Sequence, residues 1–218
     1  EHLASNDAHR ARRIELLGGL SRGPKATPQI FDDLIEMLER DELFTVLLET
    51  IERRLELLPA KEDLLRRAAE LALNLGHASR AQDAYERLVR EFGGDAEVWT
   101  YLAAAYENQE NWSGEASMLE RLFQISAAEN HEPGLRLAHL YDGPLGDSQR
   151  ALTLWRELGT GAAPNLEAIE VLLHRLDEPN ERFELAWRYI ELAPATASRR
   201  HSLLLWLLES GPKQLRMK

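Results

Sequence analysis

The stretch Ala96-Glu97-Val98-Trp99-Thr100-Tyr101-Leu102-Ala103-Ala104-Ala105-Tyr106 decides the fold. Trp99, Leu102, Ala103 and Tyr106 are spaced i, i+3, i+4, i+7, which lines them along one face of a helix. The spacing recurs on both sides. Phe31, Leu34, Ile35 and Leu38 repeat it, as do Leu65, Ala68, Ala69 and Ala72, then Gly134, Leu137, Ala138 and Tyr141, then Leu166, Ile169 and Leu173. Between these stripes lie others that open on an alanine after a polar or glycine turn. Ala81 leads to Tyr85 and Leu88. Ala116 leads to Leu119, Leu122 and Phe123, and Ala151 leads to Leu154, Trp155 and Leu158. The three alanines step by 35. Helix pairs joined by short turns at a period near 34 predict an all-α solenoid. One pair cannot bury its apolar face alone, so three or more must stack.

Composition narrows the function. Hydrophobic residues make up 44% of the 218 and charged residues 29%, which is globular usage and not that of a disordered chain. Lys and Arg number 26 against 37 Asp and Glu, a net charge of −11. Such a surface repels phosphate backbones and anionic lipid, which argues against nucleic-acid partners and membrane docking. Cysteine is absent, so disulfides, thiolate zinc sites and cysteine nucleophiles are excluded while either redox compartment stays open. No apolar run reaches the roughly 18 residues of a membrane span. The chain opens Glu1-His2-Leu3 with neither an initiator Met nor a signal-peptide pattern. It stops soon after Gly211-Pro212 closes the apolar run Leu203 to Leu208. These ends read as those of a fragment.

Trp99-x2-Leu102-Ala103-x2-Tyr106 resembles the first-helix signature of the tetratricopeptide repeat. Ala81-x3-Tyr85 and Ala151-x3-Trp155 look like its second-helix signature, and Pro59 and Pro194 stand where that repeat usually ends. The resemblance implies a right-handed solenoid with repeats at 28–61, 62–95, 96–130, 131–163 and 164–195. A partial sixth would fill 196–218. Residues 1–27 would hold the second helix of a preceding repeat, over 4–20, and a linker. Three features depart from the pattern. Gly93-Gly94 replaces a terminal Pro, the Gly143-Pro144-Leu145-Gly146 turn is one residue longer than usual, and Arg182 stands where a small residue is expected.

Catalytic signatures are missing from the sequence. It has no GxSxG elbow, no Gly-rich phosphate loop and no HExxH; Pro133 ends the likeness of His131-Glu132-Pro133 to a zinc helix. No catalytic residue, metal ligand or cofactor is therefore assigned. His139 and His174, on successive first helices, are read as solvated or partner-facing imidazoles; a metal bridging them is the sharper alternative. Trp99 and Trp155 fall on core stripes. Trp112 falls in the turn between paired helices. Trp187 and Trp206 are open to two readings, partner anchor or inter-repeat packing.

The resemblance implies that first helices line a concave face that takes an extended peptide or a helix. The residues expected there are Asp32, Glu36 and Glu39, then Asp63, Arg66, Glu70 and Asn74, then Thr100, Ala104, Glu107 and Asn108. Leu135 and His139 follow, and then Glu167, Val171 and His174. The first part of this set is acidic and the last more apolar, which predicts a partner basic at one end and apolar at the other. A merely solvated acidic face is the plainer alternative. Family members that grip a C-terminal carboxylate use Lys, Arg and Asn at these positions. Asp32, Glu36 and Glu70 would repel one.

Arg outnumbers Lys 22 to 4, a bias of high-GC bacterial genomes. Irregular arrays of this style are similar to the periplasmic scaffolds of bacterial exopolysaccharide export, the Pel type above all. There the repeats recruit polymer-modifying enzymes and guide polymer to an outer-membrane pore. That similarity implies a periplasmic, non-catalytic scaffold in biofilm formation whose partner is a basic-surfaced polysaccharide-modifying enzyme or a cationic polysaccharide. A cytoplasmic adaptor or secretion chaperone, and the ligand-sensing module of a regulator, are the other two readings.

Overall fold

A computed structural model describes residues 2–24, 26–126, 130–194 and 196–210. The described residues form twelve α-helices and no strand. They fall into two compact units, Glu1–Val98 and Trp99–Lys218. The first contains α1 (His2–Ser21), α2 (Pro28–Arg40), α3 (Phe44–Leu57), α4 (Glu62–Asn74) and α5 (Ala78–Phe92). The second takes in most of α6 (Ala96–Asn108), then α7 (Trp112–Ser126), α8 (Glu132–Asp142), α9 (Ser148–Thr160), α10 (Leu166–Arg175), α11 (Pro179–Leu192) and α12 (Ser198–Ser210). From α1 to α5, and again from α7 to α12, each helix packs on its neighbour in sequence.

The stripes predicted from spacing are largely the buried faces. Phe31, Leu34, Ile35 and Leu38 close α2 against α3, which buries Leu47, Leu48, Ile51 and Leu55. Ala68, Ala69 and Ala72 of α4 and Ala81 of α5 are at most 1% exposed. Small side chains here let the two helix axes approach closely. In the second unit Ala151 and Trp155 of α9 are fully buried. Gly134 brings α8 onto α7 so closely that an added Cβ would lie 2.5 Å from the Phe123 ring. Trp99 and Tyr106, expected in the core, are half-buried, with Arg121 5.7 Å over the Trp99 ring. Replacing Ala81 or Ala151 by Leu is expected to overpack these crossings and lower stability by about 1–3 kcal/mol. Chemical denaturation measures this, and an unchanged midpoint in both variants contradicts the assigned register.

The turns share a device at the repeat period. Glu42, Gly76 and Glu110 all have positive φ and lie 34 residues apart. Each sits within a backbone bond that closes the preceding first helix: Leu43 N–H to Leu38 C=O, His77 to Ala72, and Asn111 to Tyr106, at 2.9, 2.7 and 2.9 Å. This is the Schellman closure of orphaned carbonyls. The next position in register is Pro144, whose ring forbids positive φ. The left-handed residue there falls instead at Gly146, and Leu145 N–H closes on Leu140 C=O. That is the physical cause of the longer turn.

Second helices are tied to one another by arginines. Arg53 of α3 donates to the carbonyls of Ser21 and Arg22 at the end of α1, Arg87 of α5 to Leu55 of α3, and Arg188 of α11 to Gly159 of α9. A cation at a helix C-terminus satisfies bare carbonyls and opposes the negative end of the helix dipole.

Candidate functional site

The first helices of the first unit are α2 and α4. Asp32, Glu36, Asp63, Glu70 and Asn74 are exposed, while Glu39 and Arg66 are half-buried. Several of these carboxylates have internal partners. Asp32 accepts from the Nε of the almost fully buried Arg54 at 3.3 Å, Glu36 pairs with Arg40 one turn on at 2.8 Å, and Glu39 pairs with Arg67 of the next first helix. Arg66 donates to Asp95 at 2.8 Å and approaches Glu62 at 3.7 Å. Asp95 also caps the start of α6 by accepting from Val98 N–H at 3.1 Å. That bond, aided by Arg66, holds its carboxyl below the usual range. Asp63 makes neither a hydrogen bond nor an ion pair within the described residues, and Glu70 engages only the charge of Arg67, a guanidinium that burial pushes down and that Glu39 already pairs.

In the second unit the equivalent face belongs to α6, α8 and α10. Thr100, Ala104, Glu107, Asn108, His139, Glu167 and His174 are exposed, and Leu135 and Val171 half-buried. His139 Nε2 lies 2.7 Å from Glu167 Oε1, and its ring meets Trp155 edge-on at 5.0 Å. A carboxylate one repeat on, together with the Trp155 ring, thus orients His139. Glu107 pairs with Arg136 of α8 at 2.6 Å. Arg136 also binds Glu115, whose side chain is wholly buried at the start of α7. Asp142, at the end of α8, accepts from both terminal nitrogens of Arg175 at 2.6 Å and from the Trp155 indole N–H at 2.6 Å. Burial pushes the Asp142 carboxyl up, but these donors outweigh it and hold it below the ordinary range.

Sequence reading found the carboxylates of this face and missed the arginines that answer them. Arg67, Arg136 and Arg175 lie off the apolar stripes, where a basic residue reads as solvated. The missed signal is a separation. Glu39–Arg67 and His139–Glu167 lie 28 residues apart, Arg66–Asp95 and Glu107–Arg136 lie 29 apart. This is one repeat less roughly one and a half helical turns. Within each unit the first helices are thus tied by ion pairs between neighbouring repeats. In the first unit the excess acid lies at Asp63 and Glu70, on the exposed side of α4.

Of the remaining tryptophans, Trp112 opens α7 and is half-buried, so the turn ends one residue earlier than read. Trp206 is half-buried with Arg182 5.4 Å over its ring, which gives the oversized Arg182 its place. Trp187 is 52% exposed and donates its indole N–H to Glu191 at 2.8 Å. Among the described residues no group of His, Asp and Glu has the arrangement of a metal site, and no helix is long and apolar enough to cross a membrane.

No protein-family model matches this chain, and no curated protein does. Solved structures similar to it include MamA, at 13% identity and a TM-score of 0.40 over 72% of this chain and 90% of that one. They also include YrrB, described as a TPR protein with an unusual peptide-binding site, at 14% identity and a TM-score of 0.42 over 90% and 99%. The C-terminal part of a TPR repeat-containing protein from Cytophaga hutchinsonii, at 14% identity, has a TM-score of 0.40 over 91% and 96%. Agreement at that level leaves the fold assignment to this chain's own helices, turns and period. On those, the chain is an all-α protein of successive helical hairpins.

Proposed function

We propose that this chain is a tetratricopeptide-type scaffold that binds a protein partner on its first-helix faces and carries out no chemistry of its own. The observation that carries this reading is the excess acid of α4. Asp63 and Glu70 stay exposed outside the ion-pair lattice, Glu70 having only the charge of Arg67, which Glu39 already engages, while the neighbouring carboxylates are neutralised from within. A lattice of internal pairs fixes the backbone, and the residual negative charge selects a basic segment and speeds its arrival. On the resemblance to exopolysaccharide-export scaffolds, the partner is the basic surface of a polymer-modifying enzyme and the compartment the periplasm. The cysteine-free composition is compatible with that setting.

Titration of a Lys- and Arg-rich peptide into the protein by calorimetry, at low and at physiological salt, tests the binding mode. The Asp63→Lys, Glu70→Lys double variant is expected to bind about tenfold or more weakly and to lose most of its salt dependence. Equal affinity for wild type and variant at both salt concentrations overturns the acidic-face reading.

A further inference from the structure

The arginines that tie second helices together keep one register. Arg53 and Arg87 stand six residues after Leu47 and Ala81, the crossing residues of α3 and α5, and Arg188 stands six after Arg182 of α11. Their acceptors keep one too. Leu55 and Gly159 stand eight residues after Leu47 and Ala151. Between α7 and α9 the same register puts Gln124, eight after Ala116, at the acceptor position and Glu157, six after Ala151, at the donor position. A carboxylate cannot donate, so this tie cannot form. At that place a cleft of about 880 Å³ lies between the two helices, with Gln124 and Glu157 both on its walls. The tied pair α1 and α3 keeps a cleft of only about 450 Å³, and Arg53 is itself one of the walls.

The one cation in the cleft is already engaged. Tyr141 of α8 donates its hydroxyl to Glu120 of α7 at 2.5 Å, and Arg150 of α9 donates to that hydroxyl at 3.1 Å with its guanidinium 5.5 Å over the ring. Phe123 and Leu137, both buried, and the half-buried Leu154 give the cleft apolar walls. Glu157 is exposed, and its side chain makes neither a hydrogen bond nor an ion pair among the described residues. We propose that this cleft docks an arginine side chain of a partner protein, which supplies from outside the tie that the chain elsewhere supplies from within. The stem lies on Phe123 and Leu154, and the guanidinium bridges the Glu157 carboxylate and the end of α7 at Gln124. Arginine fits both halves of the site: its stem covers apolar surface, and its planar fork matches a carboxylate. An anionic ligand would meet Glu157 and find Arg150 spent. The site is built on second helices of the second unit and does not depend on the acid of α4.

Titration of the 218-residue chain with N-acetyl-argininamide, followed by amide shifts in two-dimensional NMR, tests the proposal. The neutral, near-isosteric N-acetyl-citrullinamide at matched ionic strength is the control. The expected result is saturable shifts centred on Glu120–Gln124 and Thr153–Glu157, with a Kd on the order of 1 mM for this single side chain. Citrullinamide should bind about tenfold or more weakly. Glu157→Gln, at an exposed position, should weaken the arginine probe about fivefold or more, and Asp63→Lys with Glu70→Lys should leave its affinity unchanged. Glu157→Arg places the missing donor in the chain itself. It should abolish the shifts and raise the melting midpoint by about 2–4 °C. Equal binding of the two probes overturns the proposal, as do shifts that persist in both Glu157 variants. Shifts confined to α2 and α4, or none up to about 20 mM probe, overturn it as well. A Glu157→Arg chain that melts lower than wild type contradicts the register from which the site is inferred.

Discussion

Replacing Arg136 by Met is expected to destabilise the protein by about 3–5 kcal/mol, because it strands a charge in the interior. Glu115 is wholly buried, and one of its oxygens has no other partner in the structure. The second oxygen is held by Arg136, which also reaches Glu107. Met retains most of the stem volume of Arg136, so the loss reports the charge and not a cavity. Glu115→Gln should cost less than Arg136→Met, and adding it to the Arg136→Met background should restore part of the loss. A double-mutant cycle by urea unfolding then gives a coupling of about 1–3 kcal/mol. Additive effects would show that the Glu115 carboxylate finds another partner.

Trp155→Ala is expected to cost a similar 3–5 kcal/mol for a different reason. Trp155 is fully buried at the centre of α9, packs against the edge of His139, and donates its indole N–H to Asp142. Part of the loss is cavity and part is the hydrogen bond to an ionised carboxylate. The two parts separate by pH. The Asp142 carboxyl is depressed in the folded state, so its contribution is present above the unfolded carboxylate pKa and lost as pH falls through the folded one. The gap between wild type and Trp155→Ala should therefore narrow in acid to a remainder that is the cavity. Trp155→Phe, which keeps most of the volume but not the donor, should lose mainly the acid-sensitive part. A gap that is constant with pH would assign the whole effect to packing.

Much of the fold was legible because burial in a helical hairpin is periodic. Each apolar stripe is a local pattern within about ten residues, and its spacing alone places Leu65, Ala68, Ala69 and Ala72 on one face. The turns were legible only in part. Gly76 signals its left-handed position by residue type, whereas Glu42 and Glu110 occupy the same position with nothing in their chemistry to mark it. Glutamate in that conformation costs roughly 1–2 kcal/mol, which the surrounding hairpin outweighs. Charge pairing was the least legible layer. Its partners lie 28 or 29 residues apart, and a carboxylate off the stripe looks the same whether it meets water or an arginine of the next hairpin. Reading that separation as a second period would have found Arg67 and Arg136. It would also have split the acidic face into a neutralised lattice and the residual charge at Asp63 and Glu70.

Amide hydrogen exchange of the chain with and without a Lys- and Arg-rich peptide tests the central claim most directly, because it locates the contact. The account predicts slowed exchange along α2 and α4, centred on the helix that carries Asp63 and Glu70, and unchanged exchange along α3 and α5. Protection confined to α3 and α5, or none at saturating peptide, would contradict it.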